Sequence, residues 1–226
     1  MKENIEILET DLISCRLCPR LVAWREEVAR VKRRAYRDQE YWGKPVPGFG
    51  DPNARLLVLG LAPGAHGSNR TGRMFTGDGS GDFLYPALFR AGLASQPEAI
   101  NINDGMVLND IFISAVCHCA PPANKPTREE IANCLPWLER EMRALVHLQG
   151  VVVLGKIALD GLLALPVFSN LPKKEFLFGH NRLYQMGSGL PWLLCSYHPS
   201  LQNTQTGRLT AEMFDQVWQT AKSYLV

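Results

Sequence analysis

The chain has 226 residues, 46% of them hydrophobic and 20% charged, and carries a formal net charge of +2. That length suits one domain with a sizeable core, or a domain with a small appendage, and the composition is that of an ordinary soluble globular protein. No apolar run is long enough to span a membrane, and the N-terminus, Met1 to Thr10, mixes acidic with apolar residues and lacks a secretory apolar region, so a cytoplasmic location is expected.

In chain order, the segment Met1 to Arg37 reads as helical. From Arg16 to Arg37 it holds eight Lys or Arg against two Glu, which suits a solvated helix face and also a phosphate-backbone contact. Tyr41 to Asp51 is rich in Pro and Gly and reads as a connecting loop. Arg55 to Gly60 is a short apolar run ending in glycine, a buried strand, and Asp82 to Ala91 follows as a helix. Ile111 to Val116 is a second strand. Thr127-Arg-Glu-Glu130 is a capping box that opens a helix running toward Val146. Gly150 to Gly155 is a third strand, Lys156 to Leu165 a helix, Trp192 to Tyr197 a fourth strand and Arg208 to Tyr224 a final helix. Strands spaced by helices predict a parallel sheet covered on both faces.

Ligands of such sheets bind beyond the carboxyl ends of the strands. The segments expected there are Gly60 to Gly67, Cys119 to Pro126 and His198 to Arg208, which gather glycines, prolines, amides, hydroxyls and a histidine at one rim. The first is neither a dinucleotide fingerprint, since its glycine spacing is wrong, nor a phosphate-binding Walker loop, since no Gly-Lys-Ser or Gly-Lys-Thr closes it. A glycine-rich turn after a strand can still bring backbone N–H groups against a flat polar ligand such as a nucleobase.

Six cysteines are present: Cys15, Cys18, Cys117, Cys119, Cys134 and Cys195. In a cytosolic chain they do not form a disulfide framework. Cys15 and Cys18 form a CxxC followed by Pro19, which suits a redox dithiol, half of a metal site, or a pair with no special role. Cys119 and Cys134 can complete a tetrahedral set, and spacing alone lets Cys117 replace Cys119 and leaves zinc and iron–sulfur both open. Cys195 sits in an apolar run and reads as a small core residue.

Four stretches together resemble the uracil-DNA glycosylase superfamily: CRLCPRLVAWREEV from Cys15, GLAPGAHGSNRTGRMFTGDGSG from Gly60, CHCAPPANKP from Cys117 and YHPSLQNTQTGRLT from Tyr197. The likeness is closest to the fifth family, the type-b enzymes of thermophilic bacteria and archaea. It implies a three-layer αβα fold with a central four-stranded, mostly parallel sheet. It implies one domain over residues 1–226, with the helical segment 1–37 tied in by a 4Fe–4S cluster on Cys15, Cys18, Cys119 and Cys134. It also implies a DNA-repair enzyme that flips uracil out of DNA and hydrolyses its bond to the sugar.

Two side chains of the best-known branch are missing, since Ala62 stands where that branch has a water-positioning Asp and Ala115 where it has a base-reading Asn. The resemblance assigns catalysis to Asp78, Asn124 and His198, stacking on the flipped base to Phe75, and its polar edge to the backbone of Gly60, Gly64, Ala65, His66 and Gly67. Taken singly these residues are ordinary: an Asp in Gly-Asp-Gly is usually a turn residue, Asn124 a loop residue and Phe75 a core residue. Gly64 stands where strict uracil enzymes carry a tyrosine that excludes thymine, so hypoxanthine and other deaminated bases are expected substrates as well.

After His198, Leu201 has the character of a wedge between base steps. Gln202, Asn203 and Gln205 can bond the orphaned partner base or the sugar edge. Ser200, Thr206, the backbone near Gly207 and Arg208 can hold phosphate. A stricter enzyme of the fourth family and a non-enzymatic iron–sulfur nucleic-acid-binding module are the alternatives. A sliding-clamp partner is not visible in the sequence.

Overall fold

The computed structural model describes residues 4–187 and 189–225, so Met1 to Glu3 of the expected N-terminal segment lie outside the described residues. The chain runs α1 (Ile5–Ile13), α2 (Pro19–Val31), β1 (Phe49–Gly50), β2 (Leu56–Gly60), α3 (Ser68–Thr71), α4 (Gly81–Arg90), β3 (Ile111–Ala115) and α5 (Arg128–Ala144). It continues through β4 (Gly150–Leu154), α6 (Lys156–Leu162), β5 (Arg182–Tyr184), β6 (Trp192–Ser196), α7 (Leu201–Gln205) and α8 (Ala211–Ser223).

The sheet has six strands in the order β1-β3-β2-β4-β6-β5. The four strands expected from the apolar runs are its parallel centre, with Gly60 beside Ala115 and Leu154 beside Ser196 at their carboxyl ends. The count of four is corrected by two short antiparallel edges, β1 on β3 and β5 on β6. Two residues inside a Pro- and Gly-rich loop and three partly exposed residues carry no apolar run, so neither edge strand announces itself.

Every residue of β2, β3, β4 and β6 is buried, and successive side chains enter opposite layers. Leu56, Val58, Ile113, Val152 and Leu194 pack with Leu84 and Leu88 of α4 and with Phe214 and Trp218 of α8. Leu57, Leu59, Phe112, Val153 and Leu193 pack with Leu138 of α5 and with Leu159 and Leu162 of α6. The result is three αβα layers.

The helical N-terminal segment divides in two, because Cys15 to Cys18 turns the chain and Pro19 starts α2. α1 and α2 are fastened to α5 by Arg140–Asp11 and by Arg20–Glu130. The capping box of α5 is present in both directions between Thr127 and Glu130. The last helix starts later than expected, because Thr210 caps it by accepting a hydrogen bond from the Met213 backbone N–H. Arg208 therefore precedes that helix.

Candidate active site and cysteine cavity

The parallel strands end on a cavity of about 440 Å³. Its wall includes Gly60 at the end of β2, Ala115 at the end of β3, Ile157 at the start of α6, and His198 after β6. Gly64, Phe75, Asp78, Asn124, Ser200 and Gln202 complete the set of expected residues that line it. Three loops separated by most of the chain thus meet at one point, as the carboxyl-end rule requires.

Asp78 is packed by glycine. A Cβ built on Gly64 would lie 2.6 Å from Asp78 Oδ2, and one built on Gly67 would lie 2.0 Å from it. The other carboxylate oxygen, Oδ1, accepts from the Ser80 backbone N–H at 3.0 Å. Burial raises the pKa of Asp78, against the hydrogen bonds from the Ser80 and Gly81 backbones.

Phe75 occupies the left-handed region at φ 52°, uncommon for a bulky residue and a cost that surrounding structure must hold in place. A Cβ on Gly60 would lie 2.7 Å from its ring, and a Cβ on Gly81 would lie 1.7 Å from its carbonyl oxygen. Its ring centroid is 5.8 Å from that of His198. Burial lowers His198 to about 4, so the imidazole is neutral at neutral pH and donates through one ring nitrogen only. Ala123 and Asn124 are both left-handed, at φ 53° and 55°, and this double turn carries the exposed Asn124 to the mouth of the cavity.

The structure separates other expected site residues from the lining. Ala65 and His66 lie outside it, and His66 Nδ1 is 3.0 Å from the Tyr41 hydroxyl. Burial, then Arg33 and Arg70, lower the His66 pKa, so two cations stand near this shoulder of the cavity. Gly67 lies behind Asp78. The segment after His198 is the short helix α7 where a loop was expected.

Leu201 is exposed, and its methyls pack where a side chain on Gly79 would stand. Asn203 Nδ2 donates to the His198 carbonyl at 2.8 Å, so this amide holds the histidine turn and not an approaching base. Gln205 is exposed, Thr206 Oγ1 donates to the Gln202 carbonyl at 2.6 Å, and the Arg208 guanidinium lies 4.6 Å from the Tyr197 ring centroid.

Several functional neighbours escaped the sequence reading. Ser68 and Met74 line the cavity, Ser80 holds Asp78, and Arg70 ties the loop together by donating to the carbonyls of His66 and Gly77. All four lie inside the GSNRTGRMFTGDGSG stretch, where their residue types alone carry no chemistry.

On the flank of the domain, Cys15, Cys18, Cys119 and Cys134 line one narrow cavity, and Cys117 is absent from its lining. Among the described residues, no three His, Cys, Asp or Glu side chains form a group for a single metal ion. Donors nevertheless point at three of the sulfurs. Arg25 Nη1 is 2.8 Å from Cys119 Sγ, the His118 backbone N–H is 3.3 Å from Cys134 Sγ, and Asn133 Nδ2 is 3.8 Å from Cys18 Sγ. Burial pushes the Cys119 thiol up to about 12, and Arg25 opposes that shift. Cys117 sits in the apolar layer beneath α5 and α6, and Cys195 is a buried core residue as expected.

Of the eight basic residues from Arg16 to Arg37, three pair with carboxylates: Arg16 with Glu26, Arg20 with Glu130 and Arg30 with Glu27. Arg25 is buried, which leaves Lys32, Arg33, Arg34 and Arg37, of which Arg33 acts on His66.

A doubly covered parallel sheet with a base-sized cavity at its carboxyl rim defines a class of α/β proteins that bind small planar ligands in crevices. Residues 47–222 match the family model described as the uracil DNA glycosylase superfamily, and the chain belongs to that superfamily. Over 211 residues it is 55% identical to the Type-5 uracil-DNA glycosylase of Thermus thermophilus, spanning 93% of this chain and 94% of that protein. It is 54% identical over 209 residues to the Type-5 uracil-DNA glycosylase of Mycobacterium tuberculosis, covering 92% of this chain and 77% of that one. A Type-5 uracil-DNA glycosylase of Pyrobaculum aerophilum is 43% identical over 210 residues, 93% of this chain and 88% of that protein.

Proposed function

We propose that the chain is a DNA-repair glycosylase of the type-5 kind, which takes uracil out of the DNA stack and hydrolyses the bond between base and sugar. The observation that carries this reading is the single cavity where Phe75, Asp78, Asn124 and His198 meet. The names and extensive identity of the relatives support it.

In this reaction the carbon–nitrogen bond breaks with its electron pair leaving on the base, so positive charge grows on the sugar and negative charge on uracil. Asp78 stabilises the sugar cation and orients the water that adds to the anomeric carbon; the proton that water loses ends on the departing base. Neutral His198 donates a hydrogen bond to the anionic uracil oxygen, the role of a donor aimed at developing charge. Phe75 stacks on the flipped base, and Asn124 closes the mouth.

Hypoxanthine and other deaminated bases fit the same reading. Position 64 is a glycine and carries no ring that would exclude a methyl, while the space its Cβ would enter is taken by the Asp78 carboxylate. Uracil-containing DNA is the partner, with Lys32, Arg33, Arg34 and Arg37 available to its phosphates.

The cysteine cavity fits a 4Fe–4S cluster on Cys15, Cys18, Cys119 and Cys134. A cluster several atoms across holds its thiolates farther apart than a single ion does. The buried Arg25 cation also calls for negative charge beside it. When bound, the cluster supplies a fastening between the N-terminal helices and the loop after β3, and hydrolysis draws no electrons from it. Among the described residues no helix is long and apolar enough to cross a membrane.

Incubation with a duplex holding one uracil, followed by alkali, tests the enzyme reading. Strand breakage at the uracil is expected, and tight binding without breakage would favour the non-enzymatic binding module.

A further inference from the structure

Arg25 stands apart from the other arginines of its segment. Arg16, Arg20 and Arg30 each meet a carboxylate near the surface. Arg25, in α2, is 2% exposed and makes no ion pair among the described residues. Its Nη1 points at Cys119 Sγ at 2.8 Å, its Nη2 donates to the Cys15 carbonyl at 3.2 Å, and its Nε has no partner. A cation buried without an anion is among the most costly arrangements a fold can hold. The neighbouring Glu26 is held down first by its bond to Arg16 and only last by Arg25, and the Arg25 guanidinium points instead at the cysteine cavity. The fork of a guanidinium, reaching a sulfur with one nitrogen and a carbonyl with the other, is a geometry that a lysine cannot reproduce.

The backbone of Arg25 faces the other way. Its carbonyl accepts from Asn69 Nδ2 at 3.3 Å, and the buried Asn69 donates its backbone N–H to the Gly64 carbonyl at 3.0 Å. Gly64 in turn packs against the Asp78 carboxylate.

We propose that Arg25 is the internal counter-charge of the iron–sulfur group held by Cys15, Cys18, Cys119 and Cys134, and that through Asn69 it positions the loop that packs Asp78. The inference rests on the cofactor reading above. Arg25 and Asn69 are positioning residues, since neither lines the cavity that receives the base.

The test uses the full chain purified without oxygen, with iron and labile sulfide counted, iron release to a chelator timed, and the cluster's reduction midpoint measured. Arg25→Met is expected to release iron about tenfold faster, the scale of a lost partner behind a metal ligand. Its midpoint should move to more negative potential, because a positive charge that favours the added electron is gone. Arg25→Lys should keep a near-native midpoint and still release iron faster. Asn69→Ala should keep iron content and midpoint while slowing single-turnover uracil release, with little change in KM.

Native release and midpoint in both Arg25 variants would overturn the counter-charge role, and native turnover in Asn69→Ala would overturn the positioning role. Should both Arg25 variants fail to fold, pulsed EPR on the reduced native protein labelled with 15N-arginine decides. Coupling to a guanidinium nitrogen supports the role, and its absence overturns it. A native chain without iron would remove the cofactor reading itself, an outcome distinct from iron-loaded variants that behave as native.

Discussion

Asp78 is held where its charge is expensive. A carboxyl whose folded pKa is raised above its unfolded value costs nothing when protonated below the ordinary aspartate range, and destabilises the fold as pH rises through the raised value. Asp78→Asn should therefore raise the melting temperature at neutral pH and leave it unchanged at strongly acidic pH, while cutting the single-turnover rate about a hundredfold or more. A melting temperature that falls at neutral pH would mean the carboxylate is a net stabiliser, contrary to its burial. The rate of the native enzyme should decline with acid at a pH above the ordinary aspartate range, since Asp78 protonates early. His198, depressed to about 4, stays neutral through that interval. Because its ordinary value is 6.5, its burial costs stability as pH falls from about 6.5 toward 4. Gly67 belongs to the same argument. A Cβ there would meet Oδ2, Cγ and Cβ of Asp78 at 2.0, 2.7 and 3.1 Å, too deep for a small adjustment. Gly67→Ala should lower activity nearly as far as Asp78→Ala does, and the double variant should be no worse than Asp78→Ala alone; additive losses in single-turnover kinetics would break that link.

Among the elements, α7 carries two separable tasks. Leu201 and Gln202 are exposed beside the cavity, whereas Asn203 faces inward and holds the His198 carbonyl. Replacing Leu201 and Gln202 with Ala should slow release from a fully paired uracil duplex more than from a mismatched site, and least from single-stranded DNA, where no stack has to be opened. Asn203→Ala should slow all three substrates alike, because it loosens the histidine and not the wedge. Equal losses for both variants across the three substrates would leave α7 without a wedge. This division was not legible in the sequence, where five polar residues from Gln202 to Thr206 read alike and a helix of five residues has too few positions to show a period. The four central strands were legible because burial on both faces writes each as an unbroken apolar run, as in Gly150 to Leu154. The edges β1 and β5 were not, since pairing on one side asks little of two or three residues. The lining residues Asp78, Asn124 and His198 were reached through the joint resemblance. Arg25 was passed over because a buried guanidinium and a surface one look the same in a charged helix, and Asn69 because an amide in a glycine-rich turn reads as a loop residue.

For the molecule as a whole, the N-terminal helices bury Leu8, Leu12, Leu21 and Val22, the last three of them lining the cysteine cavity. α1 and α2 reach α5 through the partly exposed pairs Arg140–Asp11 and Arg20–Glu130, and exposed ion pairs contribute little each. A cluster bonded to Cys15 and Cys18 on one side and to Cys119 and Cys134 on the other would cross-link the start of the chain to its middle, restricting the unfolded chain across more than a hundred residues of sequence. Cys119→Ser should then lose iron, lower the melting temperature, and make residues before Pro45 exchange amide hydrogen faster than the sheet does. Cys117→Ala removes a neighbour of similar sequence position that faces the apolar layer, so it should keep its iron and lose only the modest stability of one small core side chain. The comparison separates a ligand from a core sulfur two residues away. Iron retained in Cys119→Ser and lost in Cys117→Ala would reverse the assignment. Equal retention in both would mean that the N-terminal helices are held by their packing and ion pairs alone.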